Sequence, residues 1–147
     1  MFKRKEAIDI FRKKQVRFGD YIRNIRLNDP RELTQSDVAK VLGISVSFLS
    51  EIENRHRSPL NPERIEKFAR FFNLTEEDKL YMYDLASHEN DEIPHDIEEL
   101  LKYEKVGEMA LLALREFKAG NLEEEDWEQL TRKAENNKKR RKEEADE

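Results

Sequence analysis

The chain of 147 residues has no cysteine, only four glycines and four prolines, and a single tryptophan. Without cysteine there are no disulfide staples and no thiolate metal ligands, which fits a reducing compartment. So few turn-forming residues argue against an all-β chain. Long apolar runs are also missing. The opening MFKRKEAIDIFRKKQ lacks the apolar stretch of about seven or more that a secretory leader requires. Nothing approaches the roughly 18 apolar residues needed to cross a bilayer. The expectation is a soluble, cytoplasmic protein that engages no membrane.

What is present is charge. Charged residues make up 41% of the chain and apolar ones 37%, so a core must be small and helical. The net charge of −5 is unevenly spread. Residues 1–72 carry 16 Lys and Arg against 10 Asp and Glu, a balance of +6. Residues 73–147 carry 12 against 23, a balance of −11. That asymmetry reads as a nucleic-acid module joined to an acidic partner module.

Residues 1–17 read as a basic arm or a thin amphipathic helix with Ile8, Phe11 and Val16. Phe18, Tyr21, Ile22 and Ile25 then mark a helical face that breaks at Asn28-Asp29-Pro30. Thr34 and Asp37 form a short capping box for a helix that carries Val38, Ala39 and Leu42 inward and stops at Gly43. Ser45 caps the next helix, with Leu49 and Ile52 inward. Asn61-Pro62-Glu63 starts a fourth helix with Ile65, Phe68, Ala69 and Phe72 on its apolar face. Thr75 starts a fifth, with Leu80, Tyr83 or Met82, and Leu85.

Residues 87–93 (SHENDEI) read as a linker. Residues 94–136 then give three short amphipathic helices, 94–103, 106–119 and 122–134, too small to make a core alone. Residues 137–147 carry almost nothing apolar and are expected to be a disordered tail. Its KKRRK run is followed at once by acids, which favours a solvated tail over a DNA-binding arm.

The stretch QSDVAKVLGISVSFLSEI, Gln35 to Ile52, carries the strongest signal. Two helices crossing at a steep angle over a short turn need particular side chains at fixed offsets. Ala39 is small where the second helix passes, Gly43 makes the turn, and Val38, Leu42, Ile44, Leu49 and Ile52 form the seam. All these requirements are met in register.

Over residues 18–86, and most closely in LTQSDVAKVLGISVSFLSEIENRHRSP, the chain resembles the Cro/repressor (Xre) helix-turn-helix family, which includes the lambdoid phage repressors. The resemblance implies an all-α fold: a five-helix, lambda-repressor-like helix-turn-helix domain, here followed by a small helical C-terminal segment. It implies that the third helix enters the major groove. By position, Arg26 and Glu53 match a structural ion pair, and Gln35 a glutamine that touches the phosphate backbone. Asn54, Arg55 and Arg57 match a phosphate-contacting turn. Ser45, Val46, Ser47, Phe48 and Glu51 match the base-reading positions.

Three departures stand out. The first inter-helix loop (NDPRE) is about two residues longer than in the phage repressors. Arg55 replaces a family glycine, which adds charge at a left-handed position. The base-reading positions lack the Gln, Asn or Arg that make bidentate base contacts. Glu51 can accept from cytosine, or be an ordinary solvated residue, and Val46 or Phe48 can meet a thymine methyl. Part of the selectivity is then expected to come from DNA shape.

Other signals are weaker. His88 and His95 fit no metal spacing, HENDEIPH is not a zinc-protease motif, and no nucleophile signature supports an enzyme. No metal or cofactor is expected. The expected function is a sequence-specific transcriptional repressor that binds a palindromic double-stranded operator as a homodimer. Leu100, Leu101, Leu112, Phe117 and Trp127 are the expected dimer interface. One alternative is an antitoxin or phage-like immunity repressor whose C-terminal segment binds a toxin or metallopeptidase. Another is a helix-turn-helix fold used only as a protein-binding scaffold.

Overall fold

The computed structural model describes residues 16–146, which form eight α-helices and, among the described residues, no strand. The expected basic arm or helix at residues 1–17 falls almost wholly outside them. The chain divides into two compact units, Met1–Glu99 and Leu100–Glu147.

The first unit holds α1 (Phe18–Asn28), α2 (Gln35–Leu42), α3 (Val46–Glu53), α4 (Pro62–Phe71) and α5 (Glu76–Glu89). Helix α1 packs on α3 and α5, α2 packs on α3 and α4, and α4 packs on α5. Phe18, Ile22, Val38, Leu42, Leu49, Ile52, Ile65, Phe68, Met82 and Leu85 are fully buried where these faces meet. Each large side chain so placed contributes about 1.5–3 kcal/mol relative to exposure.

Side chains start the helices. Thr34 and Asp37 bond reciprocally at the head of α2, and Ser45, Asn61 and Thr75 each accept from the backbone N–H three residues on. Five helices end in one way: the chain turns through a left-handed residue, and the two N–H groups there fold back onto carbonyls of the last turn. Gly43 does this after α2, with Ile44 N donating to Ala39 O at 3.0 Å. Arg55, Asn73, Asp91 and Gly120 repeat it after α3, α4, α5 and α7.

Gly19 serves a different need. A Cβ there would lie 2.1 Å from the carbonyl oxygen of Ile52, so α1 presses its backbone onto the end of α3. No side chain larger than hydrogen fits that approach.

Helix α5 differs from expectation at both its face and its end. Tyr81, Met82, Tyr83, Leu85 and Ala86 are all buried, whereas Leu80 is half-buried. A helix covered on several sides has no single apolar stripe, which hides its inward residues from periodicity. It also runs through Ser87, His88 and Glu89, the first part of the expected linker. The reason is a contact. Glu89 Oε1 accepts from the backbone N–H of Phe18 at 2.8 Å and from Arg17 Nε at 3.0 Å, so the end of α5 caps the start of α1.

Helix α6 (His95–Tyr103) follows and carries the chain across the division. The second unit continues with α7 (Lys105–Lys118) and α8 (Glu124–Ala145). Residues 137–145, expected to be disordered, are the second half of α8. Their Lys, Arg, Glu and Ala are strong helix formers with no glycine or proline to stop them. Low hydrophobicity argues against burial, not against a helix. Within α7 and α8 the only buried residue is Gly107. No helix among the described residues is long and apolar enough to cross a membrane.

Candidate nucleic-acid interface

The α2–turn–α3 unit is held from beneath by a buried ion pair. Arg26 Nε donates to Glu53 Oε2 at 3.0 Å and Nη2 donates to Oε1 at 2.8 Å, while Nη1 reaches Leu33 O at 3.2 Å. Arg26 is 8% exposed and Glu53 2%. The hydrogen bonds to Glu53 hold the guanidinium pKa above its ordinary value, and burial opposes that shift. Gln35 Nε2 adds a third donor to Glu53 Oε1 at 3.1 Å. One buried carboxylate thus links α1, the start of α2 and the end of α3.

The longer first loop does not disturb this pair. The loop turns at Glu32, with φ of 55°, and Arg31 pins it. Arg31 bonds both carboxylate oxygens of Asp29, donates to Phe71 O at 3.2 Å and lies 4.4 Å above the Phe71 ring. The loop is fastened to the end of α4, and α1 keeps its place on α3.

On the outer face of α3, Ser45, Val46 and Ser47 are exposed, and Phe48 and Glu51 are half-buried. Ser45 Oγ is engaged as the cap, accepting from Phe48 N at 3.0 Å. Asn54 is exposed just past the helix and donates from Nδ2 to Ser50 Oγ at 3.2 Å. Arg55 turns the chain with φ of 65° and lies 3.8 Å from Asp20. A non-glycine residue in that conformation costs roughly 1–2 kcal/mol.

Arg57 is placed otherwise than a free phosphate contact. Its Nε donates to Glu51 Oε2 at 2.5 Å, and its guanidinium carbon lies 4.4 Å from the centre of the Phe48 ring. Arg64 of α4 reaches the same ring at 5.8 Å. Position along the chain gave no sign that Arg57 folds back over a turn onto α3. It gave none for Arg64 or for the Gln35–Glu53 bond either.

Residues 22–79 match the model of the Helix-turn-helix family. They form a Cro/repressor-type helix-turn-helix domain. A domain of this kind supports a DNA-binding transcriptional regulator. No curated protein and no solved structure matches the chain.

The expected C-terminal interface residues are spread over α6, α7 and α8. Leu100, Leu112 and Phe117 are 44%, 59% and 39% exposed, and Leu101 and Trp127 are half-buried. Phe117 and Trp127 meet edge to face with ring centres 6.3 Å apart. Val106, Met109 and Leu114 of α7 are also exposed. His95 packs beside the Tyr83 ring, with ring centres 6.0 Å apart.

Proposed function

We propose that the protein is a transcriptional repressor that binds a palindromic operator as a homodimer. Its C-terminal helices supply the contact between copies. The observation that carries this reading is the apolar face of α7, where Val106, Met109 and Leu112 are all more than half exposed, in a chain whose helix-turn-helix domain has its own closed core. Exposed contiguous apolar surface marks an association site. A second copy of the chain is the occupant that DNA binding itself requires: one half-site holds a small domain weakly, whereas two linked half-sites add roughly 10²–10⁴ in affinity. Occupying a promoter blocks polymerase, which makes repression the output.

Gln35, Asn54 and Arg55 take phosphate contacts in this reading, and Ser47 and Val46 face base edges. The test combines a footprint on DNA upstream of the gene with light scattering on the free protein and the complex. A two-fold symmetric footprint about one helical turn between half-sites, with two chains per site, is the expected result. A monomer that leaves a single-sided footprint would remove the dimer from the proposal.

The acidic balance of residues 73–147 gives a second reading its support. There the same apolar face covers a partner protein, as in an antitoxin or an immunity repressor, and the chain alone in solution is monomeric.

A further inference from the structure

Helix α3 contains no Arg, Lys, Asn or Gln, so its own sequence offers no paired donors to a base edge. The fold brings one in from outside the helix. We propose that Arg57 reads a guanine edge in the major groove, and that Glu51 and Phe48 are the residues that position it. The inference rests on the DNA-binding reading above, and assigns Arg57 a role different from the phosphate contact its place in the chain implies.

Three observations converge. Phe48 and Glu51 are three positions apart on α3 and so are neighbours on its surface; both are half-buried, and Phe48 also packs against the core. Arg57 reaches both, half-exposed, with Nε on Glu51 and its guanidinium carbon 4.4 Å from the centre of the Phe48 ring. A guanidinium carries five N–H donors in a fixed fork. With Nε engaged, the end bearing Nη1 and Nη2 stays open, and that pair matches the O6 and N7 acceptors of guanine.

Glu51 decides between base and phosphate. A phosphate contact gains from net positive charge, and a carboxylate at hydrogen-bond distance cancels that charge and reduces counterion release. A base contact gains from orientation, because only a guanidinium held in one plane distinguishes the four edges. An exposed ion pair contributes little to stability, and an exposed cation–π contact only somewhat more. Together they restrict a long side chain that is otherwise free to swing. Phe48 and Glu51 thus serve the readout by aiming Arg57.

The experiment is selection of bound sequences from a pool of random duplex DNA by the full-length protein, with titrations of the preferred duplex at several salt concentrations. Arg57→Lys keeps the charge and removes the fork. It is expected to abolish one guanine preference per half-site and lower affinity for the preferred duplex on the order of tenfold to a hundredfold. Its salt slope should match that of the parent. Glu51→Gln and Phe48→Leu should blur the same position by smaller amounts and leave the other positions as they are. The inference is overturned if Arg57→Lys retains the parent profile, or if Arg57→Ala weakens all sequences alike and lowers the salt slope by about one. A parent protein that selects no sequence would fail at an earlier point and remove the DNA-binding reading as well. Circular dichroism of each variant checks that the domain stays folded.

Discussion

Arg26 and Glu53 face each other through two parallel hydrogen bonds, 3.0 and 2.8 Å long, at a point where neither side chain meets much solvent. Removing one partner leaves the other charged and buried, which costs roughly 3–5 kcal/mol. Arg26→Ala is therefore expected to lower the melting temperature sharply. An apolar pair such as Arg26→Met with Glu53→Leu should be far milder, although it also takes away the acceptor of Gln35. Equal losses in the single and double variants on thermal melting would contradict the pairing.

Arg55 is expected to trade stability against binding. Arg55→Gly relieves a left-handed backbone conformation that costs a non-glycine residue about 1–2 kcal/mol, and the net gain should approach 1 kcal/mol after the entropy cost of glycine. The same change removes a positive charge, so DNA affinity should fall and the salt slope should drop by nearly one. Urea unfolding and salt-dependent titration check the two arms separately.

Glu89 acts as the cap of a helix some seventy residues away in the chain. Glu89→Ala leaves the Phe18 N–H without its acceptor and should cost about 0.5–2 kcal/mol, the range for lost caps. A fragment ending at Ala86 should lose the same amount relative to one ending at Ile93. Equal stability of the two fragments would show that the contact carries no weight.

Alkaline pH should unfold the domain through its tyrosines. Burial, together with the bond from its hydroxyl to Glu66 Oε1, raises the Tyr83 pKa to about 12, and burial raises those of Tyr21 and Tyr81. The folded state thus favours the neutral phenol. That preference is fully present below the ordinary tyrosine value near 10 and is lost as pH rises towards 12. Tyrosinate absorbance from these residues is expected to appear together with the loss of helical ellipticity. Ionisation with helicity intact would place the phenols in solvent.

The apolar face of α7 is the place to break association. Leu112→Glu introduces a charge at a side chain that is 59% exposed, so the fold of one copy loses little. Phe117→Ser with Trp127→Ser removes the ring pair as well. Both variants should become monomeric in light scattering and bind the operator roughly 10²–10⁴ less tightly, with an unchanged melt of the helix-turn-helix domain. Variants that stay dimeric would locate the interface on that domain.

The helix-turn-helix was legible because its chemistry is local. The Thr34–Asp37 box, the Gly43 turn and the seam from Val38 to Ile52 each lie within a few residues of their partners. The end of α1 was legible from Asn28-Asp29-Pro30, and left-handed helix ends were legible where glycine marks them. Gly43 and Gly120 announced their stops, whereas Arg55, Asn73 and Asp91 adopt the same left-handed turn without that sign. The Arg26–Glu53 pair came from family resemblance. No spacing announced Glu89 on Phe18 or Arg57 on Phe48, because those contacts depend on how the helices pack. The tail was misread for a different reason. Absence of apolar residues forbids a core, yet a run of lysines, arginines and glutamates still coils well.

Helices α7 and α8 bury only Gly107, and their backbone amides are protected by the helices alone. At 14 residues α7 lies near the length where an unsupported helix is marginal, and isolated helices melt and reform within about a microsecond. With so little buried, they are expected to open to a protease at a lower free energy than the N-terminal core. Cutting there severs the acidic half and leaves the DNA-binding half folded. In the proposed dimer the α7 face is covered, and limited proteolysis of these helices is then expected to run more slowly on associated chains than on monomers.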